Sequence, residues 1–295
     1  MNLNDFPGIL RAAEKVSRSS QRSYIGLMKT NLIFGIVGAA ITIYNFEQVD
    51  PKVYVYCFSL LLLLGALCLT VIVKRCNFED LWYQARALSE SIKTLMWRYV
   101  TCSEGFESSS SSISIQTKFN QQIMELRKQF PDLEERMDVR LLKEASISEE
   151  MNQVRSLGWK DRQTIYFNER IVNQIEWYAK KSKYNKKMRN GWFAVVVGCQ
   201  ALSVIASLFL IINPASSWNL VGLFTTISAA AIAWVEMKQF HELAQAYTTT
   251  VAELGLIRSL NNHLQSEDQF SKFVLDSENA ISREHTMWLA QRRYK

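Results

Sequence analysis

Residues 192–212 read WFAVVVGCQALSVIASLFLII, and residues 53–73 read VYVYCFSLLLLLGALCLTVIV. Each stretch runs for 21 positions without an acidic residue, a lysine, an arginine or a histidine. An α-helix rises about 1.5 Å per residue, so either stretch can cross the roughly 30 Å hydrocarbon core of a bilayer. Buried helices of soluble proteins seldom stay free of charge over this length. Both stretches therefore predict transmembrane helices.

Two more charge-free stretches, 32–46 and 218–235, complete the pattern. The second of these has 18 residues, which just suffices for a span. The first has only 15, so it must recruit Ile25, Leu27 and Met28 while Lys29 reaches the headgroups, or lie in a thinned bilayer. Tight linkers at 47–52 and 213–217 join the spans in pairs. The sequence predicts four spans in two helical hairpins.

Helical periodicity continues beyond the second and fourth spans. Apolar residues recur at three- and four-residue steps over 76–100 and 243–257, and 76–100 contains no glycine or proline, which predicts unbroken helices leaving the membrane. Phe78-Glu79-Asp80-Leu81 and Phe240-His241-Glu242-Leu243 occupy equivalent places 162 residues apart, which suggests a duplication. No β pattern is visible. The predicted fold class is all-α: an integral membrane protein with long helices extending into a cytoplasmic helical bundle.

Three segments are predicted along the chain. The first module covers residues 1–105, with spans at about 32–46 and 53–73. A serine-rich linker and a charged helix interrupted at Pro131 follow over 106–155. The second module covers 156–295, with spans at about 192–212 and 218–235.

Lysine and arginine placement predicts the orientation. The two hairpin linkers contain one cation between them, Lys52, whereas cations gather next to the other ends of the spans. Cytoplasmic flanks carry the excess of these residues, so both termini and the middle segment are predicted to be cytoplasmic. The net charge of +6 belongs to this pattern. Six basic residues are candidates for contact with the membrane surface or with an anionic ligand: Lys180, Lys181, Lys183, Lys186, Lys187 and Arg189. We expect no nucleic-acid partner.

The sequence offers little that could carry chemistry. The five cysteines show no CxxC spacing, and the three histidines have no partner at metal-ligand spacing. A phosphate-binding glycine loop, an HExxH motif and a GxSxG motif are missing, and the spans contain no ionisable group. We expect no catalytic residues, no metal, no cofactor and no enzymatic activity.

Uncharged polar residues enter the third and fourth spans. Gln200, Ser203 and Ser207 lie at i, i+3 and i+7, on one face of a helix. Thr225 and Thr226 belong to a stripe of small residues in the fourth span. Such residues let helices approach and hydrogen-bond within a bilayer. The alternative is that several copies assemble and these residues line a narrow aqueous path, since four spans alone enclose little.

Two groups of residues resemble the SLATT families, the membrane-spanning SMODS and SLOG-associating effector domains. The segment 85–95 (ARALSESIKTL), followed by Trp97-Arg98-Tyr99, is similar to the exit helix of one subtype. The second half resembles another subtype. The residues that carry this second resemblance are Asp161-Arg162, Tyr166, Arg170, Gln174, Trp177-Tyr178, Glu253-Leu254, Ile281-Ser282-Arg283-Glu284-His285-Thr286 and Trp288.

The resemblance implies a role rather than a reaction. It suggests an effector of a prokaryotic antiphage system that permeabilises or disrupts the bacterial inner membrane after a cytoplasmic signal, as a homo-oligomer in the lipid bilayer. The signal would be a nucleotide or a partner protein from a neighbouring gene. One alternative is a non-conducting scaffold whose cytoplasmic helices recruit a signalling partner. A small transporter is a further alternative, which the charge-free spans disfavour.

Overall fold

The computed structural model describes residues 6–108 and 112–293, and their side chains except at 112 and from 283 onward. Serines 109–111 of the predicted linker, and the side chains of the resemblance motif from 283 to 288, therefore lie outside the described residues. Every regular element described is helical, which confirms the all-α prediction. The α-helices are α1 (Gly8–Ile41), α2 (Val49–Cys76), α3 (Phe78–Val100), α4 (Ser112–Lys128), α5 (Val139–Leu142), α6 (Glu149–Ser156), α7 (Trp159–Tyr166), α8 (Asn173–Ile212), α9 (Val221–Lys238), α10 (Phe240–Leu260) and α11 (Glu267–Arg293).

Four helical stretches are long and apolar enough to cross a membrane, as predicted: Gly8–Ile41, Val49–Val100, Trp159–Ile212 and Val221–His263. The first span differs in its end point, because α1 stops at Ile41 instead of continuing to Phe46. The same helix runs back without interruption through Ile25 and Met28, so the span obtains its length on that side, as its short charge-free stretch requires.

The helices predicted to continue unbroken from the second and fourth spans are each interrupted at one residue. Asn77 (φ 47°, ψ 33°) separates α2 from α3, and Gln239 (φ 49°, ψ 45°) separates α9 from α10. Both residues adopt the left-handed conformation, which neither glycine nor proline marks in the sequence. A single left-handed residue scarcely disturbs the apolar period, which explains why periodicity predicted continuous helices. The two interruptions are 162 residues apart, like the two repeated motifs that follow them.

The chain forms two compact units. The hairpin unit comprises Arg22–Phe78 and Lys183–Ala244. The helical core unit comprises the chain up to Gln21, Glu79–Ser182 and the chain from Gln245 onward. Each unit thus takes residues from both halves of the sequence.

In the hairpin unit, small and polar residues hold α1 against α2. The Asn31 amide donates to the Thr70 hydroxyl (2.8 Å) and to the Ala66 carbonyl (2.9 Å). A Cβ atom at Gly65 would lie 2.8 Å from the Phe34 ring, so the two helices approach closely there because Gly65 has no side chain. In lipid the hydrophobic effect does not drive helices together, so close packing and hydrogen bonds between helices hold them in contact.

The connections between the paired helices, residues 42–48 and 213–220, pair with each other; the fourth span therefore begins at Val221 and not at residue 218. The Asn45 N–H donates to the Ser217 carbonyl (2.8 Å) and the Asn219 N–H to the Ile43 carbonyl (2.8 Å), which brackets an antiparallel bridge between Tyr44 and Trp218. The rings of these two residues meet edge to face, with centroids 5.1 Å apart. This linker bridge joins the first hairpin to the second.

The helical core unit is built around buried apolar side chains, including Leu88 and Met96 of α3 and Phe270 of α11. The segment predicted as linker and charged helix contributes Phe119 and Leu133, neither of them exposed. The interruption predicted at Pro131 is present, because α4 ends at Lys128 and a 3-10 turn spans Pro131–Arg136.

Replacing Tyr44 and Trp218 by cysteines should produce a disulfide under mild oxidation. Tyr44 and Trp218 form a non-hydrogen-bonded antiparallel pair, and the Cα atoms of such pairs are about 4.5 Å apart, within the range that a disulfide needs. The five native cysteines, none of which is in a disulfide, would first be replaced by serine or alanine. Maleimide labelling followed by mass spectrometry counts the remaining thiols. The matched control pairs Gln48→Cys with Trp218→Cys and should keep both thiols; equal oxidation of the two pairs would contradict the bridge.

Candidate functional site

A groove of about 540 Å³ runs between α8 and α9 of the hairpin unit. Its lining combines the polar residues of the third and fourth spans with apolar neighbours: Gln200, Ser203, Val204, Ser207, Leu208, Thr225, Ser228, Ala229 and Ile232. The groove is open along one side. Its accessible lining is mostly apolar, and the Gln200 side chain is exposed among these apolar neighbours.

The structure brings together four of the five residues predicted to line a path or pack helices. Gln200, Ser203, Ser207 and Thr225 all line the groove, whereas Thr226 is outside its lining. The Thr226 hydroxyl instead donates to the carbonyl of Gly222 at 2.7 Å. Whether the four groove residues line a path stays a prediction.

Most hydroxyls of this region bond to the backbone of their own helix. Ser207 donates to the Ser203 carbonyl (2.9 Å), and Thr225 donates to the Val221 carbonyl (2.9 Å). Ser228 differs, because its side chain is 4% exposed and its oxygen has no hydrogen-bond partner among the described residues. A buried hydroxyl without a partner costs roughly 1–3 kcal/mol. The groove lining thus includes a buried hydroxyl whose hydrogen-bonding capacity is unused among the described residues.

The six predicted basic residues all lie on α8. Lys180 and Lys181 belong to the helical core unit and the other four to the hairpin unit. The five lysines are exposed, and Lys181 places its ammonium 5.7 Å from the centre of the Trp177 ring. Arg189 is half-buried, and its guanidinium lies 3.1 Å from Nδ1 of His241.

A second cluster, buried in the helical core unit, surrounds the Glu278 carboxylate. Arg170 donates to both of its oxygens, from Nε at 2.9 Å and from Nη2 at 2.8 Å. The Tyr166 hydroxyl donates at 3.0 Å and the Thr94 hydroxyl at 2.8 Å. Both charged partners are almost fully buried, at 2% exposure for Arg170 and 0% for Glu278. The carboxylate thus ties α11 to α3 and to the segment that precedes α8.

Two features position Arg170 and Tyr166. A π-helical segment at Phe167–Val172 separates α7 from α8 and contains Arg170, and Tyr166 is the last residue of α7. Single π turns inside α-helices are frequent at functional sites, because the extra residue redirects the side chains around it. Here both side chains reach one carboxylate.

The surroundings of the cluster keep Tyr166 and Arg170 in fixed protonation states. Burial raises the pKa of Tyr166 well above its ordinary value, and the charge of Glu278 raises it further, so the hydroxyl remains a donor. Burial alone would lower the pKa of Arg170. Attraction to Glu278 and the hydrogen bonds between them outweigh burial and raise that pKa, so the guanidinium remains charged.

Arg155 and Arg162 extend the pattern toward the end of α3. Arg162 donates to the Thr101 carbonyl (2.7 Å) and to Glu267 (2.6 Å), while Arg155 donates to the carbonyls of Tyr99 (2.5 Å) and Phe106 (2.7 Å). The last carbonyls of a helix have no partner within it. These arginines supply partners at the C-terminal end of α3.

Two protein-family models match the chain in tandem. Residues 7–163 match SMODS and SLOG-associating 2TM effector domain 3, which is SLATT subtype 3, and residues 166–288 match effector domain 1, which is SLATT subtype 1. The chain belongs to the SLATT family. No curated protein and no solved structure was found to match it.

Because SLATT domains are transmembrane effector domains associated with SMODS and SLOG proteins, the chain has the character of a multi-pass membrane effector. The matches also show that the buried cluster contains residues of both domains. Thr94 lies in the first SLATT domain, and Arg170 and Glu278 lie in the second. One carboxylate therefore accepts hydrogen bonds from both domains.

Sequence reasoning did not identify Ser228 as unsatisfied or Glu278 as a hub. A signal for Glu278 was present, since it stands four residues after Val274 and three before Ile281, on the apolar face of α11. An acidic residue on such a face indicates a buried partner of opposite charge. For Ser228 the sequence gives no comparable signal, because side-chain rotation decides whether a helical serine bonds to its own backbone.

Replacing Glu278 by glutamine should strongly destabilise the full-length protein. The substitution leaves the Arg170 charge buried without its counter-ion, which typically costs about 3–5 kcal/mol. Thermal unfolding in detergent, followed by circular dichroism, measures the effect. The matched control is Glu176→Gln, whose partner Lys180 is 3.8 Å away in an exposed pair that is worth at most about 1 kcal/mol. Equal melting temperatures for the two variants would contradict the role of the buried cluster.

Proposed function

We propose that this SLATT protein is an antiphage effector that permeabilises the bacterial inner membrane as an oligomer, after a signal reaches its cytoplasmic helices. The observation that carries the proposal is the groove between the charge-free spans of α8 and α9, whose lining includes the exposed Gln200 amide and the buried, unsatisfied Ser228 hydroxyl. The family match supports the effector role, and the groove supports the mode of action.

An open polar groove is costly in lipid. Hydrocarbon cannot hydrogen-bond to the exposed Gln200 amide, so this group favours a state in which water or protein covers it. Another copy of the same hairpin, laid against the groove, would exclude lipid and enclose a path with polar walls. A ring of such hairpins is the simplest conducting state, because one copy cannot close the groove.

The proposed orientation follows from charge. The linkers of the hairpins carry Lys52 as their cation, whereas α8 carries six basic residues before its span. On the positive-inside rule the linker bridge faces the periplasm, and the helical core unit and both termini face the cytoplasm. The core unit is thus available to a nucleotide signal or to a partner protein from a neighbouring gene. Opening a path requires binding and rearrangement but no bond-making chemistry, so we expect no enzymatic activity and no nucleic-acid partner.

Purified protein should make liposomes leaky in a manner that depends on the groove. Leakage of a small dye should rise more steeply than linearly with the protein-to-lipid ratio, because the conducting state contains several copies. Gln200→Leu should reduce leakage about tenfold or more, since it removes a polar group from the path wall. A large dextran-linked dye in the same vesicles separates a path from general rupture of the bilayer.

The matched variants are Thr225→Val inside the groove and Thr226→Val outside it. Both exchange a hydroxyl for a methyl group at nearly constant volume, and only the former should lower leakage. If Gln200→Leu and Thr225→Val leaked like the original protein, the groove would not be the path. Absence of leakage at every ratio, together with unchanged toxicity of Gln200→Leu in cells, would favour the non-conducting scaffold.

The orientation is testable with single cysteines in a background without the native ones. Ala215→Cys lies in the linker of the second hairpin and Ala252→Cys lies on α10, and both positions are exposed. A membrane-impermeant maleimide should label Ala215→Cys in cells with a permeabilised outer membrane, and should label Ala252→Cys only after the inner membrane is lysed. The reverse pattern would overturn the proposed orientation.

A further inference from the structure

We propose that Arg189, Lys238 and His241 form a site for the phosphate group of an anionic phospholipid, at the membrane surface of the second hairpin. The proposal goes beyond the effector role, and it depends only on the second hairpin lying in a membrane. All three residues belong to the hairpin unit.

The site begins with a contact between α8 and the start of α10. Arg189 Nη1 lies 3.1 Å from Nδ1 of His241, and its Nε donates to the Asn190 side chain at 3.2 Å. A guanidinium carries five N–H groups in a fixed fork, and these two contacts use one group each. The remaining donors suit a phosphate, which arginine binds with two parallel hydrogen bonds. His241 thus orients a guanidinium that keeps binding capacity.

Two tryptophans set the depth of the site. The ring centroids of Trp192 and Trp234 are 6.2 Å apart. Trp192 is the first residue of the third charge-free stretch, and Trp234 is the last but one of the fourth. Arg189 precedes Trp192 by three residues, and Lys238 follows Trp234 by four, with its ammonium 5.8 Å from that ring. Tryptophan prefers the boundary between hydrocarbon and headgroups. Cations one helical turn beyond such a pair lie at the level of headgroup phosphates, which favours a lipid over a soluble ligand.

The surrounding charge is compatible with an anion. Lys186 and Lys187 precede Arg189 by three and two residues, respectively, and are exposed. The acidic residues of the adjoining turns of α9 and α10 are Glu236 and Glu242. With Arg189 and Lys238 included, four cations stand against two acids.

The first hairpin provides a natural comparison. The 162-residue repeat places Ile72, Cys76 and Glu79 where the second hairpin has Trp234, Lys238 and His241. The first hairpin has two cations at the end of α2, Lys74 and Arg75, but they follow Ile72 instead of a tryptophan. Removing those two cations changes the net charge as much as removing Arg189 and Lys238. They are therefore the matched control.

Full-length protein in nanodiscs that contain phosphatidylglycerol and phosphatidylcholine tests the site. Native mass spectrometry after gentle release counts the phosphatidylglycerol molecules retained on each variant. Arg189→Gln/Lys238→Gln should retain about tenfold less than the original protein, because it removes charge-assisted hydrogen bonds. Lys74→Gln/Arg75→Gln should retain nearly the original amount. Melting temperatures check folding, and the single variant Lys238→Gln replaces the double variant if the latter does not fold.

Two further arms separate the sources of phosphate. Adding inorganic phosphate or a soluble nucleotide should leave lipid retention unchanged, and nanodiscs of phosphatidylcholine alone should give little retention. Displacement of phosphatidylglycerol by free phosphate or nucleotide would assign the site to a soluble anion and overturn the lipid assignment. Equal losses of phosphatidylglycerol in the two double variants would show general attraction between basic residues and an anionic surface, and would overturn the site. Unchanged retention in both variants would overturn it as well.

Discussion

Hydrocarbon offers no hydrogen-bonding partners, and this constraint determines where the polar groups of the second hairpin find theirs. Backbone groups bond within helices for this reason, and several hydroxyls of the second hairpin bond to the carbonyls of their own helix, as Ser207, Thr225 and Thr226 do. Ser228 does not, and it faces the groove that also holds Gln200. Each unsatisfied group is costly in such a setting, so the buried Ser228 hydroxyl is an energetic cost within the described part of the second hairpin.

A different rule governs the helical core unit, where charges are buried only in pairs. Arg170 and Glu278 are almost inaccessible, and Tyr166 and Thr94 supply further donors to the carboxylate. Such pairs contribute little net stability compared with apolar residues, yet they are costly to break, so they favour one arrangement of the helices around them. Because donors from both SLATT domains meet at Glu278, a change in one domain alters the surroundings of the other.

The spans were predictable because a bilayer imposes a simple requirement on composition, visible in 53–73 and 192–212. The polar face of the third span was predictable as well, since spacing alone places Gln200, Ser203 and Ser207 together. The interruptions at Asn77 and Gln239 were not, because one left-handed residue leaves the apolar period nearly intact. The linker bridge between Tyr44 and Trp218 and the cluster at Glu278 join residues more than 100 positions apart. Periodicity describes single helices and cannot predict which distant partners they meet.

The two hairpins share a pattern but differ in how they use polar groups. In the first, Asn31 bonds across to Thr70 and Ala66, so its polar side chain strengthens the contact between α1 and α2. In the second, the polar residues line an open groove, and basic residues stand next to the tryptophan pair. The same repeat thus supplies one hairpin whose polar groups face inward and one whose polar groups remain available. The contact between α1 and α2 therefore uses a side chain that could have remained unpaired in lipid, whereas the exposed Gln200 amide of α8 must obtain its partners from outside the hairpin.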